Sequence, residues 1–141
     1  MLFRSWLHDT RCEITDFIFT NNTLAQIGYG WGADAAQRKP NAEWGFGYLL
    51  DRTPSPTKGI IITKNIVDSC RTAIFALHET FKGIEDAEID NNQYYGAGDA
   101  ILFIKFTVED GAATPLVQYS MSQYSEYQTY LGKESHSSFH F

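Results

Sequence analysis

Between Asn65 and Gly83, in NIVDSCRTAIFALHETFKG, apolar residues recur at steps of three and four: Ile66, Cys70, Ala73, Ile74, Leu77 and Phe81. That spacing predicts one face of an amphipathic α-helix over residues 65–83. Asn65 stands where a side-chain oxygen can accept from an unpaired first-turn N–H. Asp68 and Lys82 suit the two ends of the helix dipole, and Gly83 suits the left-handed residue that ends many helices. Phe75 falls opposite the stripe.

Elsewhere the pattern alternates. Residues 12–19 (CEITDFIF), 24–29, 43–50 (EWGFGYLL) and 59–63 (GIIIT) each suit a short strand. The two prolines in 51–58 cannot sit in a central strand, so this stretch reads as the long tip of a hairpin. Residues 100–108 (AILFIKFTV) form the clearest strand, with Leu102, Ile104, Phe106 and Val108 directed to the core. Glu109-Asp110-Gly111 is a turn, and residues 115–121 return antiparallel. The tail from Ser122 has no firm period, and no internal repeat or linker divides the chain. The predicted fold is a single α+β domain over 1–141: an antiparallel sheet packed on one main helix, a strongly curled sheet being equally consistent.

At 141 residues the chain can bury one real core, and its 43% apolar content is that of an ordered globular protein. No apolar run approaches membrane-spanning length. The first ten residues are too polar for a signal-peptide core, which makes the chain read as cytoplasmic. Cys12 and Cys70 stand in no metal or redox spacing, so a buried thiol is expected at Cys70. The net charge of −6 is uneven. Residues 1–83 carry nine basic and eight acidic side chains, whereas residues 84–141 carry two and nine. An acidic second half argues against nucleic acid as a partner, since phosphate contacts need Lys and Arg. It favours a basic protein partner.

Motifs carrying chemistry are few. His8-Asp9-Thr10 and His78-Glu79-Thr80 resemble the paired triplets of two-histidine phosphoesterases, whose imidazoles serve as acid and base on one phosphate. That chemistry needs both triplets on adjacent strands, whereas the second falls in the predicted helix. Residues 86–92 space oxygen donors as a calcium loop does but lack its glycine and its closing glutamate. GYGWG (28–32) and WGFG (44–47) match no phosphate loop, but Tyr29 and Trp31 in a long loop are candidate contact residues. No metal, cofactor or nucleophile motif stands out, so the balance is against an enzyme.

The first functional expectation is therefore a small acidic inhibitor, immunity-protein-like, occluding a basic partner such as a nuclease toxin. Glu85, Asp86, Glu88, Asp90 and Asp99 would supply charge, with Tyr94, Tyr95, Tyr124 and Tyr127 as anchors. The second is a small-molecule-binding domain or small enzyme with a pocket between sheet and helix, using Trp31, Trp44, Tyr48 and His78. A third is a homodimeric structural protein pairing through the sheet face of Ile101 and Phe103.

Overall fold

The computed structural model describes residues 5–7, 15–29, 45–52, 56–110 and 112–141. Expectations placed on His8 to Thr10, Cys12, Trp31 and Trp44 lie outside them. Asn65–Gly83 is not a helix. Its residues form two strands joined by a corner at Arg71-Thr72, and this correction changes the architecture of the whole chain.

Three successive coils stack on one another. The first holds β2 (Ile18–Thr20), β3 (Thr23–Ile27) and β4 (Phe46–Leu50). The second holds β5 (Ile61–Thr63), β6 (Ile66–Cys70) and β7 (Ala73–His78), and the third β8 (Glu88–Asp90), β9 (Gln93–Tyr95) and β10 (Ile101–Glu109). Equivalent strands pair in parallel. Ile18 lies beside Ile61 and Ile61 beside Glu88, while Thr23 lies beside Ile66 and Ile66 beside Gln93. Phe46 pairs with Ala73, and Phe75 with Phe103. The result is a parallel β-solenoid with three walls, not an antiparallel sheet on a helix. A preceding strand, β1 (Ser5–Leu7), lies parallel to β4.

One end is closed by a different device. β11 (Ala112–Ser120) returns antiparallel along β10, the one hairpin that the sequence pattern places correctly. A 3-10 turn at Met121–Gln123 leads into α1 (Tyr124–Leu131), and β12 (Ser138–His140) then lies parallel to β9. The α1 helix stops at Gly132, whose φ of 68° only glycine adopts freely; its N–H bonds Gln128 O at 2.9 Å.

Each coil turns from its first wall to its second through a left-handed residue followed by asparagine: Asn21-Asn22, Lys64-Asn65 and Asn91-Asn92, with φ of 58°, 57° and 56° at the first members. The asparagines stack. Asn65 Oδ1 accepts the Asn22 backbone N–H at 3.0 Å, and Asn92 Oδ1 accepts that of Asn65 at 3.0 Å. Asn65 Nδ2 reaches up to Phe19 O, and Asn92 Nδ2 to Ile62 O, both at 3.0 Å. Asparagine alone among small side chains offers a donor pair and an acceptor on one plane, so it can bond both neighbouring coils.

The interior is apolar and aromatic. Tyr48, Phe75, Phe103 and Tyr94 meet edge-on or tilted around Val67, Ile62 and Leu102. A second cluster (Phe46, Leu49, Ala76, Ile104 and Phe106) lies on the outer face of the sheet containing β4, β7 and β10. Strand β7 is thus buried on both faces, as interior strands of parallel sheets are. Leu102, Ile104 and Phe106 are buried as expected, but Leu102 and Phe103 join the inner cluster and Ile104 and Phe106 the outer, so the facing changes after Leu102. A register shift between Ile101 and Phe103 causes the change. No helix among the described residues is long and apolar enough to cross a membrane.

Replacing Asn65, fully buried with four ladder bonds, leaves Phe19 O and the Asn22 N–H without partners. Asn65→Ala is expected to cost about 2–4 kcal/mol, and Asn22→Ala at the ladder's outer end about 1 kcal/mol. Equilibrium urea unfolding of both variants measures the difference, and equal losses would contradict the ladder's assigned role.

Candidate functional site

The register between coils locates an insertion. Ile27 pairs with Cys70, and Phe46 with Ala73. In the second coil only Arg71 and Thr72 separate these positions, whereas in the first the corner runs from Gly28 through Gly45. The aromatic, glycine-rich stretch is therefore an insertion at the corner between the second and third walls. Insertions into one coil of a stacked repeat collect on one side, often the binding side. Gly28 and Gly45 close its neck: a Cβ on Gly28 would lie 2.7 Å from the Gly45 Cα.

A groove of about 220 Å³ lies at this corner. Tyr29, at the start of the insertion, stands on one side and Tyr95, ending β9, on the other. Ser69 and Cys70 lie between them, with Ile74, Gly96, Ala97, Ala100 and Ile101 completing the surface. The floor bends at Ser69, which takes a φ of 59°, as Gln26 does at the matching position one coil earlier at 55°. Ser69 Oγ donates to Asp68 Oδ1 at 2.6 Å. Tyr29 is 55% exposed. Tyr95 is half-buried, stacked on His140 with ring centroids 4.5 Å apart, and its hydroxyl donates to Gln93 Oε1. Burial pushes the Cys70 thiol up to about 12, which makes it an inert wall element and not a nucleophile.

A second polar constellation sits inside the closed end. Glu134, at φ 66°, turns its carboxylate inward, where it is 1% exposed. It accepts from Tyr94 at 2.5 Å, Tyr127 at 3.1 Å, Asn92 Nδ2 at 3.2 Å and the Ser137 hydroxyl. Ser137 Oγ also accepts the Asn92 backbone N–H, so it takes the next asparagine's place in the ladder. Burial raises the Glu134 pKa, and the four donors hold it back. Burial, then the charge of Glu134, raises Tyr94 and Tyr127 well above the ordinary tyrosine value. This group seals the ladder; it is enclosed and has no route to solvent chemistry among the described residues.

Of the carboxylates expected to form a docking face, Glu85, Asp86, Glu88 and Asp90 lie in or next to β8. Glu85, Asp86 and Glu88 are exposed beside β8. Asp90 is engaged by His136, through the backbone N–H at 2.7 Å and Nδ1 at 2.6 Å. Burial alone would raise the Asp90 pKa, but those bonds, with one from Asn91, lower it. Lys133 Nζ covers the carbonyls of Glu85 and Ala87. Asp99 lies at another corner, between β9 and β10. Tyr94 and Tyr127 are fully buried and cannot anchor a partner, whereas Tyr124 is 37% exposed and stacks on Phe139.

The expected pocket residues do not meet. Tyr48 points into the inner cluster, against Phe19, Phe75 and Tyr94. His78 is buried with its ring edge against Phe106 of the outer cluster, and its Nδ1 accepts the Thr80 N–H at 3.1 Å. Among the described residues no group of three His, Cys, Asp or Glu side chains could hold a metal ion. Sequence reasoning singled out Tyr29 as a contact candidate but missed Ser69 and Cys70, because their groove exists only once coils stack. No family model, curated protein or solved structure matches this chain.

A raised carboxyl pKa stabilises the fold below the ordinary value of 4.5 and loses that contribution as pH rises through the folded value. Glu134→Gln should therefore flatten the fall in stability above pH 4.5, which urea midpoints across pH 4–8 measure. Glu134→Ala, stranding four donors, is expected to cost about 3 kcal/mol at every pH.

Proposed function

We propose that this chain is a ligand-binding β-solenoid and that its corner groove holds a neutral, hydroxyl-bearing ring, a saccharide unit being the chemical class that fits. The observation that carries this reading is the groove's lining among the described residues: two tyrosine rings, a serine hydroxyl and small apolar surfaces, with no Lys, Arg, His, Asp or Glu among them. A charged group placed there would lose its hydration and gain no partner. A pyranose ring suits the lining because its C–H faces pack on tyrosine while its hydroxyls bond to tyrosine and serine oxygens. Tyr29 and Tyr95 belong to the first and third coils, so roughly 10 Å of solenoid separates them. That span suits one or two sugar rings running along the axis. The surplus negative charge also disfavours polyanions.

Among the described residues the lining offers tyrosine and serine hydroxyls as hydrogen-bonding groups, which supports binding at this groove. Occlusion of a basic partner retains Glu85, Asp86 and Glu88 as its exposed carboxylates beside β8, but it has lost two tyrosine anchors to the core.

Titration calorimetry with neutral and uronic-acid disaccharides tests the proposal. Neutral sugars are expected to bind, and Tyr29→Ala or Tyr95→Ala to weaken them roughly five- to tenfold. Charge reversal at Glu85, Asp86 and Glu88 should leave that affinity unchanged. Absence of neutral-sugar binding, or affinity indifferent to both tyrosines, would sink the reading.

A further inference from the structure

A second cavity lies where α1 meets β11, apart from the corner groove. It has a volume of about 360 Å³, and Tyr119, Ser125, Glu126, Thr129 and Tyr130 line it among the described residues. That size is within the range of small-molecule sites. The helix period builds one side. Ser125 and Thr129, and Glu126 and Tyr130, stand four residues apart, so each pair is stacked along one face of α1. Tyr119 on β11 builds the other side, in register with Phe103 on β10. The two tyrosine rings lie 5.6 Å apart at an interplanar angle of 51°. The buried Phe103 ring packs against both, at 6.4 Å from Tyr119 and 5.8 Å from Tyr130. They are thereby held as a wedge, with Tyr130 42% exposed.

The charge here has one sign. Glu126 is exposed and has no ion-pair partner among the described residues. Residues 84–141 hold only two basic side chains. Lys133 is engaged on the carbonyls of Glu85 and Ala87, and Lys105 lies beside Val117, outside the lining. A tyrosine face carries the negative lobe of its quadrupole, so two rings beside a carboxylate favour a cation. A primary ammonium or a guanidinium fits poorly, because its several N–H donors need acceptors in place of water. The Thr129 hydroxyl is already turned to Ser125 O, at 2.9 Å. A quaternary ammonium has no N–H to satisfy, and its methyl groups pack on the rings.

We propose that this cleft binds a small, free quaternary ammonium ion of the choline class, with its methyl groups against Tyr119 and Tyr130 and its charge beside Glu126. An anionic phosphate on the same molecule, as in a lipid headgroup, would meet Glu126 and the surplus negative charge of this half of the chain. None of these residues lines the corner groove, so this site and the saccharide reading stand or fall separately.

Titrating choline into the whole chain, followed through amide and ring resonances by NMR, tests the proposal. Shifts are expected at Tyr119, Glu126, Thr129 and Tyr130, with nuclear Overhauser contacts from the choline methyls to the tyrosine rings. The neutral isostere, with carbon in place of the quaternary nitrogen, is expected to bind about tenfold more weakly, and phosphocholine more weakly than choline. Tyr130→Leu should weaken choline roughly fivefold while Tyr130→Phe retains it, and Glu126→Gln should weaken it roughly threefold. Equal binding of the isostere would make the cleft merely apolar and overturn the proposal. So would tighter binding of phosphocholine, equal losses in Tyr130→Phe and Tyr130→Leu, indifference to Glu126→Gln, or no shift at these residues.

Discussion

The stacking of asparagine on asparagine is the constraint from which the rest of this molecule follows. Parallel strands in successive coils gain nothing from a tight turn, so something must fix which residue lies above which. Asn65 does so by bonding Phe19 O and the Asn22 N–H in one direction and Asn92 in the other. With that corner fixed, Ile62 falls between Phe19 and Ile89, and Val67 between Leu24 and Tyr94. A slip of one residue would strand the buried amides and turn every interior side chain outward.

The same ladder explains why a carboxylate is tolerated in the interior. Asn92 has no coil beyond it to supply an acceptor for its second amide hydrogen or a partner for its N–H. Glu134 and Ser137 fill those two places, and the left-handed backbone at Glu134 lets the side chain turn in. Four donors offset part of the cost of burying the charge. The two tyrosines that complete the group also fill the core. This polar cluster and the aromatic interior are therefore one unit.

The corner groove is a by-product of an unequal repeat. The long insertion of the first coil leaves the strands it interrupts in register, so it adds Tyr29 to a surface that Ser69, Cys70 and Tyr95 already provide. The asparagine ladder on the adjacent corner fixes the strands that carry this surface, and the difference in length between the first two coils falls at their connection.

Local pattern determined a good deal. Residues 46–50, 61–63 and 101–109 are strands because β-branched and aromatic residues fit a pleated, buried surface, and β10 and β11 pair antiparallel as their pattern predicts. The charge asymmetry is likewise a fact of composition. What sequence could not settle was the partner of each strand. AIFALH is apolar on both faces because β7 is buried on both. With a left-handed residue at Ser69 and a corner at Arg71-Thr72, the spacing of residues 66–81 imitates a helix. The repeat was hidden because Ile18, Ile61 and Glu88 stack at intervals of 43 and 27 residues, not at one period. Tyr94 and Tyr127 looked like surface anchors, and His78 and Tyr48 like neighbours, since burial and facing are set by contacts between coils far apart in the chain. Tertiary stacking alone decided these, because a parallel solenoid places its defining hydrogen bonds between residues that no local window contains.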